Sequence, residues 1–319
     1  MAAESSSRTV VYAALIGNVL VAVAKAGAAA WTGSSSMLSE AVHSAVDTGN
    51  EVLLLYGIHR AARHADAEHP IGYGRELYFW SFIVAVLVFA LGAGVSLYQG
   101  IAHLRHPEPI SDPLVNYVVL GVAFIFEGGS WIVSLRQFKA AKGPLGFYEA
   151  FRRSKDPPSF TVLFEDSAAL LGILIAAFGT YAATSLDAPA FDGVASILIG
   201  LVLAGTATLL LRESKSLLIG ERADRKLSDS ILRIAEDASA ASRANGVLTV
   251  QLAPDQILAA LSLEFADDLR APQIEEAVIE IERKIRAAHP EVVTLFIKPQ
   301  TARTFSETFR RRFGEGIAE

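Results

Sequence analysis

The feature that most limits how this chain can fold is the length of its apolar runs. Six segments stand out, at about Thr9–Trp31, Ser36–Ile58, Tyr78–Leu104, Pro113–Leu135, Phe160–Ala183 and Phe191–Leu211. Each comes close to the roughly 20 residues that a helix needs to cross a hydrocarbon core about 30 Å thick. Apolar residues make up 52% of the chain and charged residues 19%, against about 25% charged in an ordinary soluble domain. That surplus of apolar side chains calls for lipid, so the expected fold begins with an all-α bundle of six transmembrane helices. The net charge of −6 comes with no basic patch interleaved with aromatics, which argues against a nucleic-acid partner. With no cysteine there is no disulfide, no thiolate catalysis and no cysteine zinc site. The first run could pass for a signal peptide, with Ala28–Ala30 as a mock cleavage site, but Glu4 and Lys25 sit where a signal would not carry them.

The connections predict an orientation. Arg60, Arg63 and Arg75 lie between the second and third runs, and Arg136, Lys139, Lys142, Arg152, Arg153 and Lys155 between the fourth and fifth. Arg212, Lys215, Arg222, Arg225 and Lys226 follow the sixth, whereas Thr32–Ser35, Arg105–Asp112 and Thr184–Ala190 are short and poor in basic residues. By the positive-inside rule both termini face the cytoplasm. The basic loop Arg136–Lys155 reads as a solvated cytoplasmic loop, with anionic lipid headgroups as a lesser alternative.

The expected boundaries are a membrane domain over 1–212, a cytoplasmic domain over 213–300 and an amphipathic tail over 301–319. Within the second, periodicity predicts a helix at Ser228–Ser242, strands at Gly246–Leu252 and Ile257–Phe265, a helix at Ala271–Ala288 and a strand at Val292–Pro299. That α-β-β-α-β order implies a small sheet with helices on one side, an α+β arrangement. In the tail, Phe305, Phe309 and Phe313 recur every four residues beside Arg310–Arg312, the pattern of a short helix packed on protein.

The second run is not uniformly apolar. Glu40, His43, Asp47 and Asn50 stand three or four residues apart, so they form one polar stripe along a helix. An ionisable residue inside a membrane costs about 2.5–3.5 kcal/mol on insertion scales and commonly marks a site or a pathway. An imidazole and a carboxylate at i, i+4 can meet one ion, so His43 and Asp47 form half of a zinc site. The alternative is an interhelical hydrogen-bond network without metal. The fifth run holds Glu165 and Asp166, about 100° apart on a helix. Asp166 is chosen to face His43, because Ala169 and Gly172 on its side allow close approach, leaving Glu165 for a neighbouring helix or a proton. Glu127 in the fourth run is a third buried carboxylate, either in transport or as a partner for Lys25 or a hydroxyl.

One imidazole and two carboxylates suit Zn2+, while Fe2+, Co2+ or Mn2+ could also use them. Two aspartates neutralise a dication, whereas an empty site would leave them bare unless protons take its place. His43, Asp47 and Asp166 are therefore also the proton-coupling groups, and the metal is cargo rather than cofactor.

These residues also carry a resemblance. Asn18 and Lys25, Thr32-Gly-Ser-Ser-Ser-Met-Leu-Ser-Glu-Ala-Val-His-Ser-Ala-Val-Asp47 and Asp66-Ala-Glu-His-Pro-Ile-Gly-Tyr-Gly-Arg75 resemble the cation diffusion facilitators. Phe164-Glu-Asp-Ser-Ala-Ala-Leu-Leu-Gly172 and Ser154-Lys-Asp-Pro-Pro158 are most similar to the zinc transporter nine-like branch. The resemblance implies a homodimer of six-span protomers working by alternating access, with a ferredoxin-like cytoplasmic domain that helps dimerise. It implies His43, Asp47 and Asp166 as ligands. Val162 replaces a histidine that many relatives carry, which leaves Asn50, Glu165 or water for the fourth position. It further implies a second metal at Asp66 and His69, where Tyr73 replaces the third ligand and His64 is a substitute; otherwise the segment is a turn that orders the loop. His289 is the one histidine of the C-terminal domain, so no binuclear sensing site is expected there.

The expected function is a secondary transporter, not an enzyme, that exports a divalent cation in exchange for protons. An intramembrane metal-dependent hydrolase lacks a His-Glu-x-x-His arrangement here, and a non-transporting partner subunit is the other alternative. The expected location is a bacterial inner (plasma) membrane, with the mitochondrial inner membrane as the alternative.

Overall fold

The computed structural model describes residues 2–238 and 241–313, without the side chains of residues 2–14 and 313. These residues fall into two compact units, one within Met1–Ala62 and Glu76–Lys215, the other within Arg63–Arg75 and Ser216–Glu319.

The first unit is helical. It contains α1 (Ala2–Thr32), α2 (Ser35–Ala61), α3 (Glu76–Leu87), α4 (Gly94–Arg105), α5 (Pro113–Lys142), α6 (Phe147–Arg153), α7 (Pro157–Ser185) and α8 (Ala190–Ile219). A π-helical stretch, Val88–Ala93, joins α3 to α4 without a break. The apolar patterning does not announce that insertion of extra backbone, and such turns often sit beside functional sites. Among the described residues, five segments are long and apolar enough to cross a membrane: Leu15–Thr32, Glu76–Arg105, Pro113–Lys142, Pro157–Ser185 and Ala190–Ile219. The chain is thus a multi-pass membrane protein. The expected sixth, α2, falls short by composition, because its serines and the Glu40–Glu51 polar stripe lower its apolarity. The outer faces carry side chains suited to hydrocarbon, among them Ile125 at 74% and Phe178 at 70% exposure. Inside, small residues let the helices approach: Ala28, Ala93, Ala123, Ala168 and Ala176 are buried with Met37, Leu120, Ile173 and Leu203.

The start of α2 is fixed in two ways. Ser34 is its N-cap, accepting from Met37 N. Asp192 at the start of α8 is fully buried and accepts from Ser34 Oγ, Ser36 Oγ and the backbone N–H groups of Ser35 and Ser36. A carboxylate on the orphan N–H groups of a helix N-terminus is doubly favoured, by hydrogen bonding and by the helix dipole. Below it, Ser39 Oγ and Ser196 Oγ share a 2.6 Å hydrogen bond, and Ser196 donates to Ser96 O.

The second unit follows the expected order: α9 (Arg225–Glu236), β1 (Ala241–Ala253), β2 (Gln256–Phe265), α10 (Ala271–Ala288), β3 (Val292–Pro299) and α11 (Ala302–Phe313). β2 is central, antiparallel to β1 and parallel to β3. A parallel pair needs a long crossover, and α10 supplies it. Ala259, Leu261 and Leu263 alternate along β2 and pack with Ile231 of α9 and Ile281 and Ile285 of α10. α9 ends six residues before the expected Ser242, because pairing of Ala241 with Phe265 starts β1 there. Phe305 of α11 rests against Gly246, where any Cβ would clash with its ring, so the tail helix packs on protein. The side chain of Phe313, the last of the expected stripe, lies outside the described residues. Residues 63–75 belong to this unit, with Gly74 pressed on Leu252 O and Ala253 of the β1–β2 hairpin.

Candidate functional site

α2 presents Glu40, Ser44, Asp47 and Glu51 along one line and His43 and Asn50 on the adjoining one, as a 3.6-residue period requires. His43 is 1% exposed, and its Nδ1 lies 3.2 Å from Asp47 Oδ2. Both ring nitrogens of His43 and Oδ1 of Asp47 are buried without a hydrogen-bond partner among the described residues. Such orphans are costly in a low-dielectric interior and call for an explanation.

On α7 the two adjacent carboxylates diverge. Glu165 is buried and accepts from Asn50 Nδ2 of α2 at 2.8 Å. Asp166 Oδ2 accepts from Ser130 and Ser134 of α5, at 2.9 and 3.2 Å. Glu165 is thus bonded to α2 and Asp166 to α5, a division that depends on helix rotation. Asp47, Glu165 and Asp166 nonetheless share one cavity of about 20 Å³, enough for a single water-sized particle. Asn18, Ser44, Glu51, Glu127 and Val162 complete its lining. Asn18 Nδ2 donates to Glu51 Oε1 at 2.6 Å. Glu51 was readable only as a further turn of the α2 stripe, and Asn18 had no signal beyond its place in the family pattern. The candidate fourth groups, Asn50 and Glu165, spend a donor and an acceptor on each other. Among the described residues, no group of three or more histidines and carboxylates is gathered closely enough to hold a metal ion.

The loop residues form a turn. Asp66 Oδ1 accepts from the N–H groups of Glu68 and His69, and Asp66 Oδ2 accepts from Tyr73 Oη at 2.6 Å. The His69 ring lies 4.3 Å from that of Tyr73, and the Arg63 guanidinium caps Tyr73 at 4.6 Å. His64 is exposed. The Tyr73 hydrogen bond, aided by the His69 N–H, holds the Asp66 carboxyl below its usual range and raises the Tyr73 phenol. In the other part of this unit, His289 Nε2 is 2.8 Å from Ser230 Oγ.

Residues 11–219 match the cation efflux transmembrane domain. The chain belongs to the cation efflux family. Relatives within this family, which is that of the cation diffusion facilitators, point to the zinc transporter nine-like branch. The chain is 40% identical over 194 residues to a proton-coupled zinc antiporter, SLC30A9, of Xenopus laevis, covering 60% of this chain and 34% of that protein. It is 34% identical over 239 residues to metal tolerance protein C4 of Arabidopsis thaliana, covering 74% and 52%. A cation-efflux pump, FieF, of Escherichia fergusonii is 25% identical over 270 residues, covering 82% and 81%. The chain spans a third to a half of the length of the first two relatives.

Proposed function

We propose that this cation efflux protein is a secondary transporter, not an enzyme, exporting a divalent cation in exchange for protons by alternating access. Zn2+ is the leading cargo, with Fe2+, Co2+ and Mn2+ as competitors. The observation that carries the reading is the pairing of His43 and Asp47, with unsatisfied buried ring nitrogens and carboxylate oxygen, beside a cavity that Asp47, Glu165 and Asp166 line. Polar atoms left without partners in a membrane interior are affordable where an ion or a proton supplies the missing partner. His43 and Asp47 from α2 and Asp166 from α7 are the proposed ligands and proton carriers. For them to close on one ion, Asp166 exchanges its serine donors for metal and α2 moves toward α7, a motion that alternating access provides. Asn50 or Glu165 fills the fourth position once their mutual hydrogen bond opens. The zinc and proton named for the SLC30A9 relatives point the same way.

The remaining features form one picture. α2 acts as the sixth span, since its polar stripe bonds to α1 and α7 rather than facing lipid. Both termini are cytoplasmic, residues 213–300 form the cytoplasmic ferredoxin-like domain, and two copies make the working dimer. The membrane is a bacterial inner one, with the mitochondrial inner membrane as the alternative. Asp66 and His69 form a loop metal site only if metal displaces the Tyr73 hydrogen bond.

Proteoliposomes containing a fluorescent zinc probe test the reading. Zinc flux should follow an imposed pH gradient and vanish in Asp47→Ala; flux unchanged in that variant rejects the assignment. A metal-binding subunit without transport is the second reading, favoured by Val162 in the cavity wall. It predicts zinc binding that His43→Ala weakens, with no flux.

A further inference from the structure

Beside the cavity lies a charge that the transport reading does not use. Lys25 of α1 is fully buried in the middle of an apolar helix. Its Nζ donates to Glu40 Oε2 at 3.0 Å and to Ser44 Oγ at 2.8 Å, both on α2, and stands 3.7 Å from Glu127 Oε1 of α5. The ammonium thus sits within an oxygen shell of two carboxylates and a hydroxyl. Glu40 Oε1 is buried with no hydrogen-bond partner among the described residues. It points at Gly172 of α7, where even a Cβ would collide with it. Ser44 and Glu127 also line the cavity that Asp47 and Asp166 share, so the two compartments have a common wall.

An oxygen shell of this kind, with one carboxylate oxygen unsatisfied, is what a hard dication seeks. A lysine ammonium is a compact point charge on a tether and cannot diffuse away. From this geometry we infer that Lys25 is a resident counter-cation: it occupies a carboxylate subsite next to the transport cavity and denies that subsite to the travelling ion. The cavity then holds one dication rather than two, and Glu40 and Glu127 do not compete with Asp47 and Asp166 for it. This rests on the transport reading only for the identity of the neighbouring site. The subsite itself stands on the Lys25 contacts.

The test counts bound ions on the detergent-purified full chain by equilibrium dialysis against Mn2+ alone and Zn2+ alone. Lys25→Gln and Lys25→Met should each retain one more Mn2+ per protomer than the unaltered protein, because the vacated shell is all oxygen. Lys25→Arg should retain none extra. In proteoliposomes the neutral variants should lower both KM and kcat for Mn2+ flux, as an ion held too well leaves slowly. Equal ion counts in the unaltered protein and both neutral variants would overturn the inference. If the unaltered protein binds no Zn2+ while Lys25→Gln gains Mn2+, the transport-site reading fails and the counter-cation stands. Should the neutral variants be too unstable to purify, their melting in membranes decides: a Tm rise with Mn2+ larger than that of the unaltered protein supports the subsite, and no such rise overturns it.

Discussion

The two ends of the polar face of α2 are built on opposite terms. At its start, Asp192 is fully buried, yet each of its oxygens accepts two donors from Ser34, Ser35 and Ser36. Two turns on, His43 is equally buried, yet neither ring nitrogen has a hydrogen-bond partner among the described residues, and Asp47 Oδ1 has none. Similar residues at similar depth have been given contrary surroundings. A satisfied cluster is closed to further ligands and fixes a helix, whereas an unsatisfied one is open to an ion. The lesson is that burial of charge alone does not identify a site; the count of missing partners does.

Breaking the open end should have the largest effect. Asp47→Ala and His43→Ala should each lower zinc flux by about 100-fold or more, beyond the ~10–100-fold that partners behind a metal ligand command. Transport in proteoliposomes checks this, and both variants should melt near the unaltered protein because no satisfied bond is lost. Breaking the closed end should do the reverse. Asp192→Ala leaves four donors unserved and should cost about 2–3 kcal/mol of stability. Thermal unfolding in detergent measures that loss, while the number of zinc ions bound should stay the same.

A variant between the two ends sharpens the contrast. Ser130→Ala with Ser134→Ala removes the hydroxyls that hold Asp166 and should change zinc affinity by about 10-fold, the low end for such outer partners. Titration with a competing chelator reads it. The smallest effect lies outside the membrane, in the loop. The depressed Asp66 carboxyl stabilises the folded turn at pH values above the usual carboxylate range, and that stabilisation is lost as pH falls through its lowered value. Tyr73→Phe removes the main cause, so the turn should open at higher pH than in the unaltered protein, as amide exchange of residues 66–73 would show.

How much of this was readable beforehand follows the range of the forces involved. α10 and β3 begin and end where their apolar periods predict, since local pattern and tertiary packing agree there. β1 starts earlier than its own pattern suggests because its partner strand extends it. The π-helical stretch at Val88–Ala93 and the short helix Phe147–Arg153 carry no local signal. In the site, His43, Asp47 and Asn50 were legible because charge in an apolar run is expensive. The contrary bonding of Glu165 and Asp166 was not, because it depends on the rotation of α7 against α2 and α5. Asp192 and Lys25 each look like a lone charge at or within a span, and only the arrangement of three helices reveals their partners.

Anomalous scattering at the zinc absorption edge, from zinc-loaded crystals, tests the central claim most directly. The account predicts a peak within bonding distance of His43, Asp47 and Asp166, replacing the serine bonds to Asp166. Zinc found elsewhere in the membrane helices, with hydrocarbon between α2 and Asp166, would contradict it.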